Sequence, residues 1–338
     1  MRKSIATALR LLLLLLIVGT VVAAYQWWQY GHAPVVGAGS KVEFEVRRGE
    51  GGRQLATTLQ KAGVPVQPWE LALAWRLRGD SDQIKAGRFE MEGPVTLQAL
   101  LNQLIIGQPV KERMIVLIEG WTFRQVREAL SKAPELLNTS VGLTDEQVMQ
   151  KVDPARNHPE GMFAPDTYAY LPDSTDLELL ARAHRLQMQR LTAAWGGRAE
   201  GLPLRNEDDL LVLASIVEKE SARHEDRALV AAVFYNRLRL GMMLQSDPTT
   251  IYGLGEGFDG NLRRNHLRAD TPYNTYMRNG LTPTPIAMPG NGSLQAAAQP
   301  ASSKALYFVS RGDGSSEFSN DLPSHNRAVN RYQRKATQ

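Results

Sequence analysis

The residues best suited to take part in a reaction are Glu218-Lys219-Glu220-Ser221, which directly follow an apolar stretch over residues 210–217. A carboxylic acid beside apolar side chains keeps its proton to a higher pH, because burial disfavours the charged form. Cleavage of a glycosidic bond requires a proton donor of this kind. The tetrapeptide therefore indicates an enzyme that cuts a glycan.

Helical geometry does not choose between the two glutamates. On a helix, Glu218 and Glu220 flank the apolar stripe on opposite sides, roughly 160° apart, and Ser221 lies near its middle. Either glutamate could instead pair with Arg223 or Arg227 on a solvated face, as charges at helix ends usually do. Both glutamates remain candidates at this point.

Two loops that follow this helix are rich in amides, hydroxyls and aromatic rings, over residues 244–253 and 271–276. Flat rings and neutral hydrogen-bonding groups suit pyranose rings that carry N-acetyl groups, although a packed loop has the same composition. We expect Asp247 to organise its loop rather than attack a sugar. The candidate substrate-binding residues are Ser221, Asn236, Gln245, Asp247, Tyr252, Tyr273, Asn274, Thr275 and Tyr276.

The N-terminal segment has the features of a membrane anchor. Residues 11–24 are apolar, Arg2 and Lys3 precede them, and an aromatic cluster (Tyr25, Trp27, Trp28, Tyr30) follows. This order predicts a cytoplasmic stretch over residues 1–9, a transmembrane helix over residues 10–30 and a body on the far side of the membrane. The alternative is a signal peptide that is cleaved after Ala24.

The rest of the chain predicts an α+β protein with two domains after a linker over residues 31–40. Residues 41–110 contain a strand, two helices, a second strand and a third helix for which Thr96 is a suitable cap. Their order resembles LysM-like modules that bind N-acetylglucosamine polymers, although a plain scaffold domain fits equally well. Residues 111–335 form a larger mixed α/β domain that carries the candidate catalytic helix.

Composition excludes several classes of protein. The chain has 338 residues, 43% of them hydrophobic, which is ordinary for a globular protein. Of the net charge of +4, three units lie in the first forty residues, so the body lacks the basic surface that nucleic-acid binding needs. The chain has no cysteine, and its histidines show no metal-ligand spacing. We therefore expect no metal, no cofactor and no disulfide. The sequence also lacks the glycine-flanked serine that marks the nucleophile elbow of serine hydrolases.

Several segments in order resemble the YceG-like family. These are residues 161–168, 218–221, 245–248 and 273–276, and the closing Ser324-His325-Asn326. The chain departs from the family pattern at residues 280–286, where threonines replace a Pro-Pro-Gly run, and before Phe318, where a histidine is often found. The resemblance extends from the membrane segment to about Val329.

The resemblance implies an endolytic murein transglycosylase of the inner membrane, single-pass, with a periplasmic catalytic domain. Such enzymes cut the β-1,4 bond between N-acetylmuramic acid and N-acetylglucosamine without water and leave a 1,6-anhydro end. In that family the second glutamate is catalytic, which selects Glu220 here and leaves Glu218 as the second choice. The implied partners are peptidoglycan strands, the membrane and peptidoglycan synthases, and the implied role is to terminate nascent strands. A non-catalytic peptidoglycan-binding scaffold is the alternative.

Overall fold

The protein is described by a computed structural model. The structure describes residues 16–22, 25, 28, 32–47, 49–79, 83–107, 110, 112–221 and 223–334. The chain divides into two compact units, one ending at Lys111 and one beginning at Glu112. Much of the predicted anchor and all of the predicted cytoplasmic stretch lie outside the described residues.

Between residues 32 and 107, the described part of the N-terminal unit contains two small antiparallel sheets and three α-helices. Strand β2 (Lys41–Val46) pairs with β3 (Gly87–Glu92), and β1 (Pro34–Val36) pairs with β4 (Val95–Thr96). Helices α1 (Gly52–Lys61), α2 (Pro68–Arg78) and α3 (Leu97–Ile105) accompany them. The alternation in β2 buries Val42, Phe44 and Val46, and the Phe44 ring stacks on Phe89. Thr96 caps α3 as expected, because its hydroxyl accepts a hydrogen bond from Ala99 N.

The larger unit is mainly helical. Strand β5 (Arg113–Val116) pairs with β6 (Thr167–Tyr170), and β7 (Tyr307–Ser310) pairs with β8 (Ser316–Ser319), both antiparallel. The helices, in chain order, are α4 (Phe123–Ser131), α5 (Asp145–Val152), α6 (Asp176–Gly196), α7 (Glu207–Glu220), α8 (Arg227–Arg239), α9 (Asp247–Leu254), α10 (Arg264–Arg268), α11 (Asn291–Ala298) and α12 (Leu322–Val329). A π-helical turn, Asn330–Arg334, extends α12.

Helix α7 lies in the middle of the core of this unit. Asn206 caps it by accepting a hydrogen bond from Asp209 N. The sequence suggests one apolar stripe, but every residue from 210 to 217 is buried. Helices α6, α8 and α11 all pack against it, which explains why no face is left for solvent. The accessible residues of α7 therefore lie at its two ends, with Glu207 and Asp208 partly exposed at the start and residues 218–220 at the C-terminal end.

None of the helices in the described part of the chain has the length and apolar character that crossing a membrane requires. Residues 16–22 are helical and exposed. The predicted anchor over residues 10–30 extends into residues outside the described part. The membrane anchor stays a prediction from the sequence.

Candidate active site

A cleft of about 610 Å³ opens at the C-terminal end of α7. Glu220, the last residue of that helix, lines it together with Arg237 from α8. The loop before α9 contributes Leu244 and Gln245, the first residue of α9 contributes Asp247, and the 271–276 loop contributes Tyr276. The buried helix thus delivers one carboxyl group to a solvent-connected cavity.

Glu220 has an environment that favours its protonated form. Burial raises its pKa to about 7, and the neighbouring charge of Asp247 acts in the same direction. The Ser246 hydroxyl donates to Glu220 Oε1 across 2.6 Å, and this bond and the charge of Arg237 lower the pKa in part. A carboxyl group with a pKa near 7 is able to give and to take a proton at neutral pH.

The loop that carries Ser246 is held by the 271–276 loop. Gln245 N donates to Thr275 O and Ser246 N donates to Thr275 Oγ1. Gln245 adopts a positive φ of 50°, which turns the chain into α9. Tyr276 donates its hydroxyl proton to Asp247 Oδ1 across 2.6 Å, on the wall of the cleft. The two loops therefore form one side of the site.

Arg237 crosses the base of the cleft. Its Nε donates to Leu306 O and its Nη1 to Met243 O, Leu244 O and, at 3.4 Å, to Gln245 Oε1. Its neighbour Asn236, a candidate substrate-binding residue from the sequence, instead uses its amide to donate to the carbonyls of Ser303 and Ala305. On a helix adjacent residues point in different directions, and here it is Arg237 that faces the cleft.

Glu218 is on the other side of α7 and does not line the cleft. Its Oε1 pairs with Arg227 at 3.0 Å and its Oε2 accepts a hydrogen bond from Gly290 N at 2.9 Å. The pairing with Arg227 considered from the sequence is present, but the side chains are 5% and 12% exposed rather than solvated. Glu218 is therefore held in a buried ion pair, whereas Glu220 lines the cleft.

Other candidate residues lie behind the wall of the cleft. Asn274 is fully buried, and its amide donates to the carbonyls of His266, Leu267 and Ala269. Thr275 is also buried and bonds the loop before α9. Ser221 uses its hydroxyl to donate to Arg223 O. These side chains shape the loops that present the lining residues.

Tyr252 and Tyr273 belong to a second polar cluster at the other end of α9. Their rings meet edge to face with centroids 4.9 Å apart, and the Tyr252 hydroxyl donates to Glu160 Oε2 across 3.0 Å. Glu160 Oε1 accepts from Phe123 N, at the start of α4. Burial raises the pKa of Glu160 to about 7. This second buried carboxyl group ties α9 to α4.

The C-terminal segment forms a further wall of the cleft, which was not predicted from the sequence. It contributes Tyr307, Phe308, Val309, Ser310, Ser316, Leu322, His325, Asn326, Val329 and Gln333. The spacing of 322, 325, 326 and 329 is that of one helical face, so periodicity combined with the Ser324-His325-Asn326 motif was the available signal. The wall is mostly apolar and amide-bearing, with few charges.

No group of three or more histidines and carboxylates in the described residues is arranged to hold a metal ion. Among the acids that line the cleft, Asp247 is already engaged by Tyr276. The arrangement suits proton transfer by a single carboxyl group in a cleft of about 610 Å³.

The chain is similar to several known proteins. The profile of the YceG-like family matches residues 44–331. An endolytic murein transglycosylase of Bacillus subtilis is 31% identical over 264 residues, which cover 73% of this chain and 73% of that protein. An endolytic murein transglycosylase of Streptococcus pneumoniae is 28% identical over 319 residues, 84% of this chain and 57% of that protein. The chain thus matches little more than half the length of the pneumococcal relative.

A crystal structure of a YceG-like protein from Listeria monocytogenes has a similar fold. The TM-score is 0.53 and the identity 27%, over 85% of this chain and 98% of that one.

Proposed function

The chain belongs to the YceG-like family, and we propose that it is a lytic transglycosylase that cuts peptidoglycan glycan strands internally. The observation that carries this proposal is the position of Glu220. Its carboxyl group, with a pKa raised to about 7, lines a cleft of about 610 Å³. A single group that titrates near neutral pH is suited to act first as acid and then as base.

In the proposed reaction, protonated Glu220 gives its proton to the glycosidic oxygen between N-acetylmuramic acid and N-acetylglucosamine. The bond from C1 to that oxygen breaks, and N-acetylglucosamine leaves with a free hydroxyl. The Glu220 carboxylate then takes the proton of the muramoyl C6 hydroxyl while that oxygen bonds to C1. The products are a 1,6-anhydro end and a reprotonated Glu220, and no water is consumed.

Ordinary glycosidases place two carboxyl groups across the bond that they break. In this cleft the second acid is Asp247, whose Oδ1 accepts the Tyr276 hydroxyl at 2.6 Å. We assign Asp247 to the organisation of the loop and to raising the pKa of Glu220 by its charge. The site therefore favours a mechanism in which Glu220 serves both steps.

Location and partners are further parts of the proposal. The apolar stretch over residues 11–24, with cations before it and aromatic residues after it, supports a single-pass anchor in the inner membrane. An anchored cutter on the periplasmic face would meet nascent strands beside peptidoglycan synthases and would terminate them. A LysM-like role for the N-terminal unit, in glycan binding, belongs to the same proposal.

The test is digestion of purified peptidoglycan followed by mass spectrometry of the products. We expect 1,6-anhydro muropeptides from the wild-type protein and none from Glu220→Gln. Glu225→Gln, which changes an exposed acid close by in the chain, is the matched control and should retain activity. Products with reducing ends would indicate hydrolysis instead. Binding to peptidoglycan without any new ends would indicate a non-catalytic scaffold.

A further inference from the structure

Arg237 is a charged residue in the cleft to which the proposed reaction assigns no role. It is 8% exposed and lines the cleft together with Glu220. Its Nε donates to Leu306 O at 2.7 Å, and its Nη1 donates to Leu244 O at 2.9 Å and Met243 O at 3.2 Å. All of these acceptors are neutral. Among the ion pairs of the described residues, none includes Arg237.

A buried guanidinium without a carboxylate partner is costly, because its desolvation is repaid only by neutral dipoles. Burial accordingly lowers the pKa of Arg237. A guanidinium nevertheless stays protonated in proteins, so the cleft contains a permanent positive charge. The Tyr307 ring holds this group in place, with its centroid 5.1 Å from the guanidinium carbon. Buried charges whose pKa is shifted by their surroundings are often found at functional sites.

The other ionisable groups around the cleft are Asp247 on α9, Tyr276 in the loop, Tyr307 on β7 and His325 on α12. Asp247 raises the pKa of Glu220. His325 stacks on Tyr307 with centroids 5.1 Å apart, and burial and the charge of Arg237 lower its pKa, which keeps the imidazole neutral at pH 7. Among the described residues that line the cleft, Arg237 is therefore the one fixed cation.

We propose that Arg237 is a positioning residue that stabilises the Glu220 carboxylate, and thereby sets the pH range over which Glu220 changes from acid to base. This inference rests on the proposed function of Glu220. When Glu220 protonates the glycosidic oxygen, a negative charge forms on its carboxyl group in a site of low polarity. A fixed cation in the same cleft stabilises that charge without having to move. The same cation is in place when the carboxylate removes the proton from the C6 hydroxyl.

Removal of Arg237 should shift the pH dependence of the reaction in one direction. Arg237 lowers the pKa of Glu220, so its removal raises that pKa and makes Glu220 a weaker acid. Glu220 would then stay protonated to a higher pH. The rate at pH 7 should fall, while the pH above which kcat declines should increase.

The experiment measures kcat and KM against pH on soluble glycan strands for the wild type, Arg237→Gln, Arg237→Lys and Arg239→Gln. We expect Arg237→Gln to lower kcat at pH 7 by about 10- to 100-fold and to move the alkaline limb upward by about one pH unit. KM should change far less than kcat. Arg237→Lys keeps the positive charge, so the alkaline limb of its kcat–pH profile should be that of the wild type. Arg239, exposed on the same helix, is the control and should leave the profile unchanged.

An unchanged alkaline limb in Arg237→Gln, or a loss confined to KM, would overturn the inference. Should the glutamine variant fail to fold, as judged by its thermal transition, Arg237→Lys alone remains decisive. An alkaline limb displaced upward in the lysine variant by about one unit would contradict a role of charge. Failure of the proposed function is distinguishable, because Glu220→Gln would then be active or the wild type would form no anhydro ends.

Discussion

The hydroxyl of Ser246 donates a hydrogen bond to Glu220 Oε1 across 2.6 Å, and so joins the end of α7 to the start of α9. Burial alone would favour the neutral carboxyl group, and this bond acts against it. Hydrogen bonds to a charged acceptor are worth about 1.5–3 kcal/mol. The bond therefore keeps the Glu220 carboxylate accessible as a base.

Ser246→Ala should raise the pKa of Glu220 further, because it removes a donor that stabilises the carboxylate. We expect the alkaline limb of kcat to move upward by about one pH unit, with a decrease in kcat at pH 7 of about tenfold. Steady-state kinetics from pH 5 to 9 would measure both. Ser131→Ala, at an exposed position on α4, is the control. A wild-type limb in Ser246→Ala would contradict this assignment.

Glu218→Gln should destabilise the protein without abolishing its chemistry. The change leaves Arg227, whose side chain is 12% exposed, without its buried carboxylate partner. Breaking such a pair costs about 3–5 kcal/mol of unfolding free energy. Glu119→Gln is the matched control, since Glu119 is 47% exposed and lies 3.5 Å from Arg227; its cost should be below about 1 kcal/mol. A stable Glu218→Gln protein that forms no anhydro ends would transfer the catalytic role to Glu218.

The contribution of Glu160 to the stability of the larger unit should decrease as the pH rises. Its pKa is raised from 4.5 to about 7 in the folded state. Between these values the folded protein retains a proton that the unfolded chain has lost, so the stability that Glu160 contributes falls across this window. The total fall is up to about 3 kcal/mol. Urea unfolding of the wild type and Glu160→Gln at several pH values would measure it.

The unfolding free energy of the wild type minus that of Glu160→Gln should decrease steadily from about pH 4.5 to about pH 7 and then stay constant. Glu128→Gln, at an exposed residue that pairs with Lys132, provides the control and should show no such trend in this window. A constant difference between wild type and Glu160→Gln would show that Glu160 is ionised in the folded state.

Asn326→Ala should weaken substrate binding. Asn326 lines the cleft from α12, and its exposed carboxamide has no hydrogen-bond partner among the described residues. A neutral amide at this position suits the acetamido groups of the sugars. We expect KM to rise a few-fold, by about 1 kcal/mol of binding energy, with little change in kcat. Asn330→Ala, at an exposed position outside the cleft, should have no effect; equal kinetics for the two variants would exclude a substrate contact.

Local features of the fold were predictable because they depend on neighbouring residues. The strand predicted at the start of the 41–110 segment is β2, and Thr96, predicted as a cap, lies at the start of α3. The apolar run over residues 210–217 predicted a buried helix that ends in Glu218 and Glu220. It did not reveal that the run is buried on all faces, since that depends on which helices pack around it.

The sequence by itself determined that an acid-bearing helix is followed in the chain by segments rich in amides and aromatic rings. Only the tertiary structure decided the surroundings of each carboxyl group. Glu218 meets Arg227 and Gly290, whereas Glu220 meets Ser246 in the cleft. The contacts with Gly290 and Ser246 join residues 72 and 26 positions apart in the chain. No local pattern encodes such distances, because the packing of whole helices sets which side chains meet.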